Sequence, residues 1–419
     1  MNWDVPLSDF RFDAAEEEAV LAVLRSGWLT QGDKVAQFER AFAERIGARF
    51  ARAVSSCTAG LHLAAHALEL GPGDEVIVPS LTFVATANTI VQTGATPVFG
   101  DVESFDRLLL DAADVERKIT PRTRAVVVMH YGGHPCNMSD LAAVARRHNL
   151  HLIEDCAHAP LAEWDGRKVG TFGVAGAFSF FSNKNLTTGE GGMIVCDDPS
   201  LIERFTLLRS HGMTRQTLER HKGQAIGYDV VELGFNYRFD EIRAAIGIVQ
   251  LEKLESNNAL RAECAARYLD LLRDIEWLQI PFAARADASP ASAPSTPSTS
   301  STPSMPSTLS TPSDSSDRSD APLAHRSVHH IFPVILRDGS PPRDRLMNAL
   351  RDHGIQTSIH YRPVHDFSFY RRRFPTPDES LPITTALAPR LLTLPLYPTL
   401  TAAQQEKVVE ALRAASSER

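Results

Sequence analysis

A lysine follows an apolar run in FSFFSNKNLTTGEGGM, Phe178 to Met193, where Asn183-Lys184-Asn185 separates two stretches that read as buried strands. Charged side chains ordinarily stay in water, and taken alone Lys184 reads as a solvated turn residue. Three other stretches change that reading. HLIEDCAHA ends an apolar run on Glu154-Asp155, at the carboxyl edge of an expected sheet strand, where open α/β sheets bind ligands. A carboxylate there can pair with a cationic ring nitrogen through a charge-assisted hydrogen bond. SSCTAGLHLAAHAL places Ser and Thr at a helix start, whose free N–H groups and positive dipole end favour an anion. By itself Thr58 reads first as the cap of that helix. PSLTFVATANTI follows a strand and carries Phe83, which can cover one face of a flat ring, although a lone Phe belongs more often to a core. An anion site, an aromatic wall, a carboxylate and a lysine are together the parts that hold pyridoxal phosphate.

The elements that must position these residues show in the texture of the chain. From about residue 50 to 200, ARAVSS, DEVIVPS, TPVFGD, RAVVVMH, HLIEDCA, GAFSFF and GGMIVCD alternate with helical stretches, the pattern of a largely parallel sheet covered by helices. Asp240 reads as the N-cap of a long helix that leads towards a second domain. We expect a large domain at 1–240 and a smaller one at 241–419, interrupted by a disordered insert at about 284–324. Within the insert, 22 of the 30 residues from 291 to 320 are Ser, Thr or Pro, too few apolar groups to offset ordering entropy. Regular structure resumes at VHHIFPVIL.

Composition narrows the partners. The 419 residues are 43% hydrophobic with a formal charge of -8 and no basic block, so a nucleic-acid partner is not expected. No run approaches the roughly 18 apolar residues of a membrane span, and the start lacks a signal-like apolar region, so a cytoplasmic location is expected. Five scattered cysteines, without CxxC or zinc spacing, read as reduced and mostly buried. His130 and His134 in HYGGHP have no acidic third ligand nearby in sequence and read as packing or hydrogen-bonding groups, so no metal is expected.

SSCTAGLHLA, GPGDEVIVPSLTFVATANTI, GATPVFGDV, HLIEDCAHAPLAEWDGRKVGTFG, FSFFSNKNLTTGEGG and LGFNYRFDEIRAAIG, in this order and spacing, resemble the DegT/DnrJ/EryC1/StrS family of pyridoxal-phosphate-dependent sugar aminotransferases. The resemblance runs from LRSGWLTQGDKVAQFE to IHYRPVH and LPLYPTLT and leaves out only the Ser/Thr/Pro stretch. It implies the type I (aspartate aminotransferase-like) fold, an α/β large domain with a mixed, mostly parallel sheet and a smaller C-terminal α+β domain, in a homodimer with shared active sites. It further implies that Lys184 holds the cofactor aldehyde as a Schiff base and that Asp155 pairs with the pyridine nitrogen. By the same resemblance Phe83 and His158 flank the ring; Thr58, the Ala59 amide and Ser179 bind the phosphate; and Asn236 is a phosphate ligand lent by the partner subunit. Arg238, His360, Tyr361 and His365 are the matching substrate-side positions. The implied reaction moves an amino group from L-glutamate or L-glutamine to a keto group of a nucleotide-linked deoxysugar. A dehydratase or lyase on a similar sugar, and a non-catalytic sugar-nucleotide-binding regulator, are the alternatives. A branch that dehydrates sugars has histidine in place of the lysine, so Lys184 favours transamination. Cys57 departs from the small Gly or Ala of many members, beside the phosphate positions.

Overall fold

The computed structural model describes residues 3–215, 227–283 and 325–417, so the disorder expected at about 284–324 falls outside the described residues. All seven runs that read as strands form one sheet. In chain order they are β1 (Phe50–Val54), β2 (Glu75–Pro79), β3 (Thr96–Gly100), β4 (Thr123–Met129) and β5 (His151–Asp155), then, after the short β6 (Glu163–Trp164) and β7 (Arg167–Lys168), β8 (Ala175–Ser179) and β9 (Gly192–Cys196). The spatial order is β1-β9-β8-β5-β4-β2-β3. Pairs from β8 through β5, β4 and β2 to β3 are parallel, while β9 is antiparallel to both neighbours. Strand β9 therefore runs against the other six. The β2 strand, Glu-Val-Ile-Val-Pro, is buried along its whole length, as expected where helices cover both faces of a parallel sheet.

The 31-residue helix Glu241–Leu271 begins at Asp240, whose side chain accepts the Arg243 N–H, and at 1.5 Å per residue it is about 46 Å long. Its first half packs Ala244, Leu251 and Leu254 into the core beside the large sheet, where Phe38, Phe42, Phe178 and Phe180 meet. Its second half gives Cys264, Ala265 and Tyr268 to a separate core. That core is built on the antiparallel sheet β10-β12-β13, with β10 at Leu278–Gln279, β12 at Phe332–Leu336 and β13 at Leu391–Leu394. The two cores are thus joined through one rigid element.

Two C-terminal segments nevertheless lie on the large sheet's side. The first follows the undescribed 284–324 stretch: β11 (His325–Arg326) pairs with β6, and the Val328 and His330 N–H groups donate to Gly133 and Gly132. The second carries Val364, Tyr370 and Leu381 into the core around the helix Cys57–Ala67. The first returns the chain to the carboxyl edge of β4, and the second to that of β2, where the Val364 N–H donates to Ser80 O. All five cysteines are buried and free. No helix among the described residues is long and apolar enough to cross a membrane.

Candidate active site

Strand register builds one edge of the site. Met129 of β4 pairs with Asp155 of β5, and Asp155 pairs with Ala177 of β8. Two residues on, Ser179 is opposite Gly192 of β9, which is opposite Val54 of β1. The strand ends thus bring the carboxylate, a serine and the chain entering the helix Cys57–Ala67 into one row. Gly192 makes this possible, because a Cβ there would lie 2.5 Å from the backbone at Cys57 and Ser56. After β8 the chain turns back through Lys184 and the GEGG stretch. Gly189 adopts φ 80°, a left-handed conformation that suits glycine.

Ser56, not Thr58, caps the helix: its hydroxyl accepts the Ala59 N–H at 3.1 Å. That frees the Thr58 hydroxyl from capping, and Thr58 lines a cavity of about 300 Å³ together with Phe83, Asp155, His158, Ser179, Lys184, His360 and Tyr361. The Asp155 carboxylate is buried and held from two sides. Thr86 Oγ1 donates to Oδ2 at 2.7 Å, and the Ala157 N–H donates to Oδ1 at 3.1 Å. Burial raises the Asp155 pKa, while Thr86, Ala157 and the Lys184 charge oppose the rise. Burial also brings the Lys184 amine down to about 8, against the pull of Asp155. The site therefore holds an acid and an amine whose ordinary pKa values have moved towards one another.

Aromatic and imidazole groups form the other walls. His158 accepts the Gly132 N–H at Nδ1 (3.2 Å), which leaves its proton on Nε2, 2.8 Å from the Tyr361 hydroxyl. Burial keeps this ring neutral, with its pKa well below the usual value. The Phe83 ring, 54% exposed at the mouth, is 5.9 Å from that of Tyr361. His360 bonds Thr393 at 3.0 Å and is brought down to about 4 by burial.

Four expected site residues are not brought into this cavity. The Ala59 N–H goes to Ser56, as described, and not to the cavity. Asn236 is exposed, with its backbone bridged to Ser210. Half-buried Arg238 donates to Ser210 Oγ at 3.4 Å. His365 is buried, 2.5 Å from Ser80 Oγ and in ring contact with Phe99. Tertiary structure also supplies the acid that the sequence around His130 lacks: Glu154 Oε2 is 3.2 Å from His130 Nε2, with Cys156 close by. On its other side His130 Nδ1 accepts the Cys136 N–H, and Glu154 also accepts the N–H groups of Gly170 and Gly173.

Sequence reasoning missed Ser56, Thr86 and His330. The last lies 3.4 Å from Lys184 Nζ although 146 residues separate them. Thr86 had a usable signal, a polar residue three positions after Phe83 on the helix that follows β2. Thr86→Val keeps the shape and removes the donor to a buried carboxylate, a bond of about 1.5–3 kcal/mol. Pyridoxal phosphate should then bind the cofactor-free protein about 10- to 100-fold more weakly, as read by absorbance titration.

A helix N-terminus with hydroxyls beside it, a buried carboxylate and a half-buried amine around one cavity fit the phosphate, ring nitrogen and aldehyde of pyridoxal phosphate. With the seven-stranded sheet and the second core on the long helix, they define a pyridoxal-phosphate-dependent enzyme of the type I aminotransferase fold. The chain belongs to the DegT/DnrJ/EryC1/StrS aminotransferase family, which it matches over residues 11–312 and 304–413. Among its relatives, the spore coat polysaccharide biosynthesis protein SpsC of Bacillus subtilis is 37% identical over 400 residues, covering 95% of this chain and 93% of SpsC. Of solved structures, DesV of S. venezuelae is 34% identical with a TM-score of 0.79, covering 97% of this chain and 95% of DesV. The aminotransferase TlmJ of Streptoalloteichus hindustanus is 34% identical with a TM-score of 0.82, covering 99% of each chain.

Proposed function

We propose that this aminotransferase moves an amino group from L-glutamate or L-glutamine to a keto group of a nucleotide-linked deoxysugar. The observation that carries the reading is the Lys184 amine and the Asp155 carboxylate facing one cavity that a helix N-terminus also enters. SpsC, by its name a polysaccharide biosynthesis protein, supports a sugar as acceptor.

When bound, pyridoxal phosphate supplies an aldehyde and an electron-withdrawing ring that carry the amino group from donor to acceptor. This chain's own residues do the rest. Thr58, Ser179 and the first N–H groups of the helix Cys57–Ala67 hold the phosphate. Asp155, which accepts from Thr86 and Ala157, would pair with the protonated ring nitrogen. Phe83 and His158 bound the ring faces. Burial brings the Lys184 pKa down to about 8, so the neutral amine is more accessible near pH 7 than for an exposed lysine. Lys184 would be the group that holds the cofactor's aldehyde and that, once displaced by the donor amine, would move a proton at Nζ to and from the substrate carbon. His360 and Tyr361, on the same cavity, face the acceptor.

The protein acts as a homodimer in this reading. Exposed Asn236 reaches a neighbouring subunit's cavity, with Arg238 beside it. In support, Tyr228, Val230, Val231 and Leu233 just before it are each more than half exposed, an apolar stretch of the kind that partners cover.

The deciding experiment incubates the enzyme with UDP-, dTDP- and GDP-linked keto-sugars and either amino donor, and follows sugar amination by mass spectrometry. Amination of at least one nucleotide sugar is expected. Donor turnover with no aminated sugar across the panel would sink the substrate assignment.

A further inference from the structure

Main-chain carbonyls can only accept hydrogen bonds, and two of them set the orientation of an asparagine relay behind Lys184. Asn258, on the long helix, donates from Nδ2 to Pro160 O at 3.1 Å, which turns its Oδ1 towards Asn185. Asn185 donates from Nδ2 to that Oδ1 at 2.8 Å and to Val328 O at 2.9 Å. Its own Oδ1 therefore faces Nδ1 of His330, at 2.9 Å, and the imidazole must carry a proton there. Nε2 is then a bare acceptor, 3.4 Å from Lys184 Nζ. The backbone of His330 is held as well: its N–H donates to Gly132 O, and its carbonyl accepts from buried Arg261, which also donates to Leu396 O. Burial, His158 and then Lys184 drive the His330 pKa well below its usual value, so the neutral ring is the one present.

We propose that His330, locked in the Nδ1–H tautomer by Asn185 and Asn258, is a positioning residue whose Nε2 accepts an N–H of Lys184 and so aims the amine's lone pair into the cavity. The inference rests on Lys184 being the reactive amine, but its first test does not. The titratable groups around Lys184 are Asp155, Cys57, His158, His360, Tyr361 and the exposed Glu190 on the cavity, with His330 behind it. Burial holds the three imidazoles neutral and the Cys57 thiol protonated, and His330 Nε2 is an acceptor within reach of Nζ. A neutral acceptor favours ammonium over amine. Removing it should lower the lysine's midpoint.

Cofactor-free protein is acetylated with limiting acetic anhydride across a pH series, and acetylation of the Lys184 peptide is read by mass spectrometry. His330→Leu should move the midpoint down by about one pH unit, a roughly tenfold fall in the ammonium-to-amine ratio at fixed pH. His330→Gln, which can offer an amide oxygen, should bring it back towards wild type. On adding pyridoxal phosphate at a pH well above both midpoints, where the amine is neutral in each protein, formation of the borohydride-trappable bond should slow about tenfold in His330→Leu, with partial recovery in His330→Gln. A folded His330→Leu protein with the wild-type midpoint and trapping rate would reduce His330 to a packing residue. Should that variant not fold, long-range proton–nitrogen correlation spectra of ¹⁵N-histidine-labelled wild-type protein decide the matter. A proton on His330 Nε2 would overturn the proposal, and a bare Nε2 with protonated Nδ1 supports it. If borohydride labels no bond at Lys184, the reading of that lysine fails, while the acetylation midpoints still judge His330.

Discussion

Lys184→Ala should eliminate amino transfer and leave no cofactor covalently fixed by borohydride, whereas wild type should be labelled on the peptide containing Lys184. Loss of the proton-transfer role alone is expected to lower the rate by about 10²–10⁴-fold, and loss of the nucleophile adds to it. Lys184 is the one lysine lining the cavity among the described residues. A label on another lysine, or none on a cofactor-loaded wild type, would remove it from the proposed role. The depressed pKa adds a stability signature with a definite sign. The unfolded amine holds its proton up to about 10.5 and the folded one only to about 8. Lys184 therefore contributes stability that is fully present above 10.5 and lost as the pH falls through 8. The half-buried position calls for a small effect. Cofactor-free Lys184→Met should show a correspondingly shallower rise of melting temperature between these pH values than wild type.

The second large effect is recovery of activity on mixing two inactive proteins. Asn236→Asp should be severely impaired in the dimer we propose, because it would set a carboxylate against a bound phosphate in a partly desolvated site. In a mixed dimer with Lys184→Ala, the subunit that keeps Lys184 receives a normal Asn236 from its partner, and one complete site results. Activity should return to about half of wild type per heterodimer if the two sites work independently. Should Asn236 serve its own chain, both sites stay damaged. Confirmed heterodimers that remain inactive would withdraw the shared site.

Local signals carried much of the architecture. The seven β-branched runs, Asp240 as a helix cap and the turn at GEGG all depend on neighbours within a few residues, so they were legible before any contact was known. So were the cavity residues Thr58, Phe83, Asp155 and Lys184, whereas His158 and Ser179 came from the family resemblance. What side chains do to one another across long sequence separations was not legible. Ser56 and Thr58 are equally good caps by type, and only the path from β1 into the helix chose Ser56. Likewise, no local pattern shows that β9 opposes its neighbours, since an all-apolar strand reads the same in either direction. His365 looked like a site residue beside His360 and Tyr361, yet the chain turns after Tyr361 and buries it on Ser80 and Phe99.

By itself, then, the sequence determined which segments become strands and helices and which residue types could meet a phosphate, a ring nitrogen and an aldehyde, because both follow from composition over a few residues. Tertiary structure alone decided the protonation chemistry. The shifted pKa values of Lys184 and Asp155 come from burial by elements far apart in the chain. The tautomer of His330 depends on Asn185, Asn258 and the carbonyls of Pro160 and Val328, four positions spread over 169 residues and brought within hydrogen-bond reach only by packing.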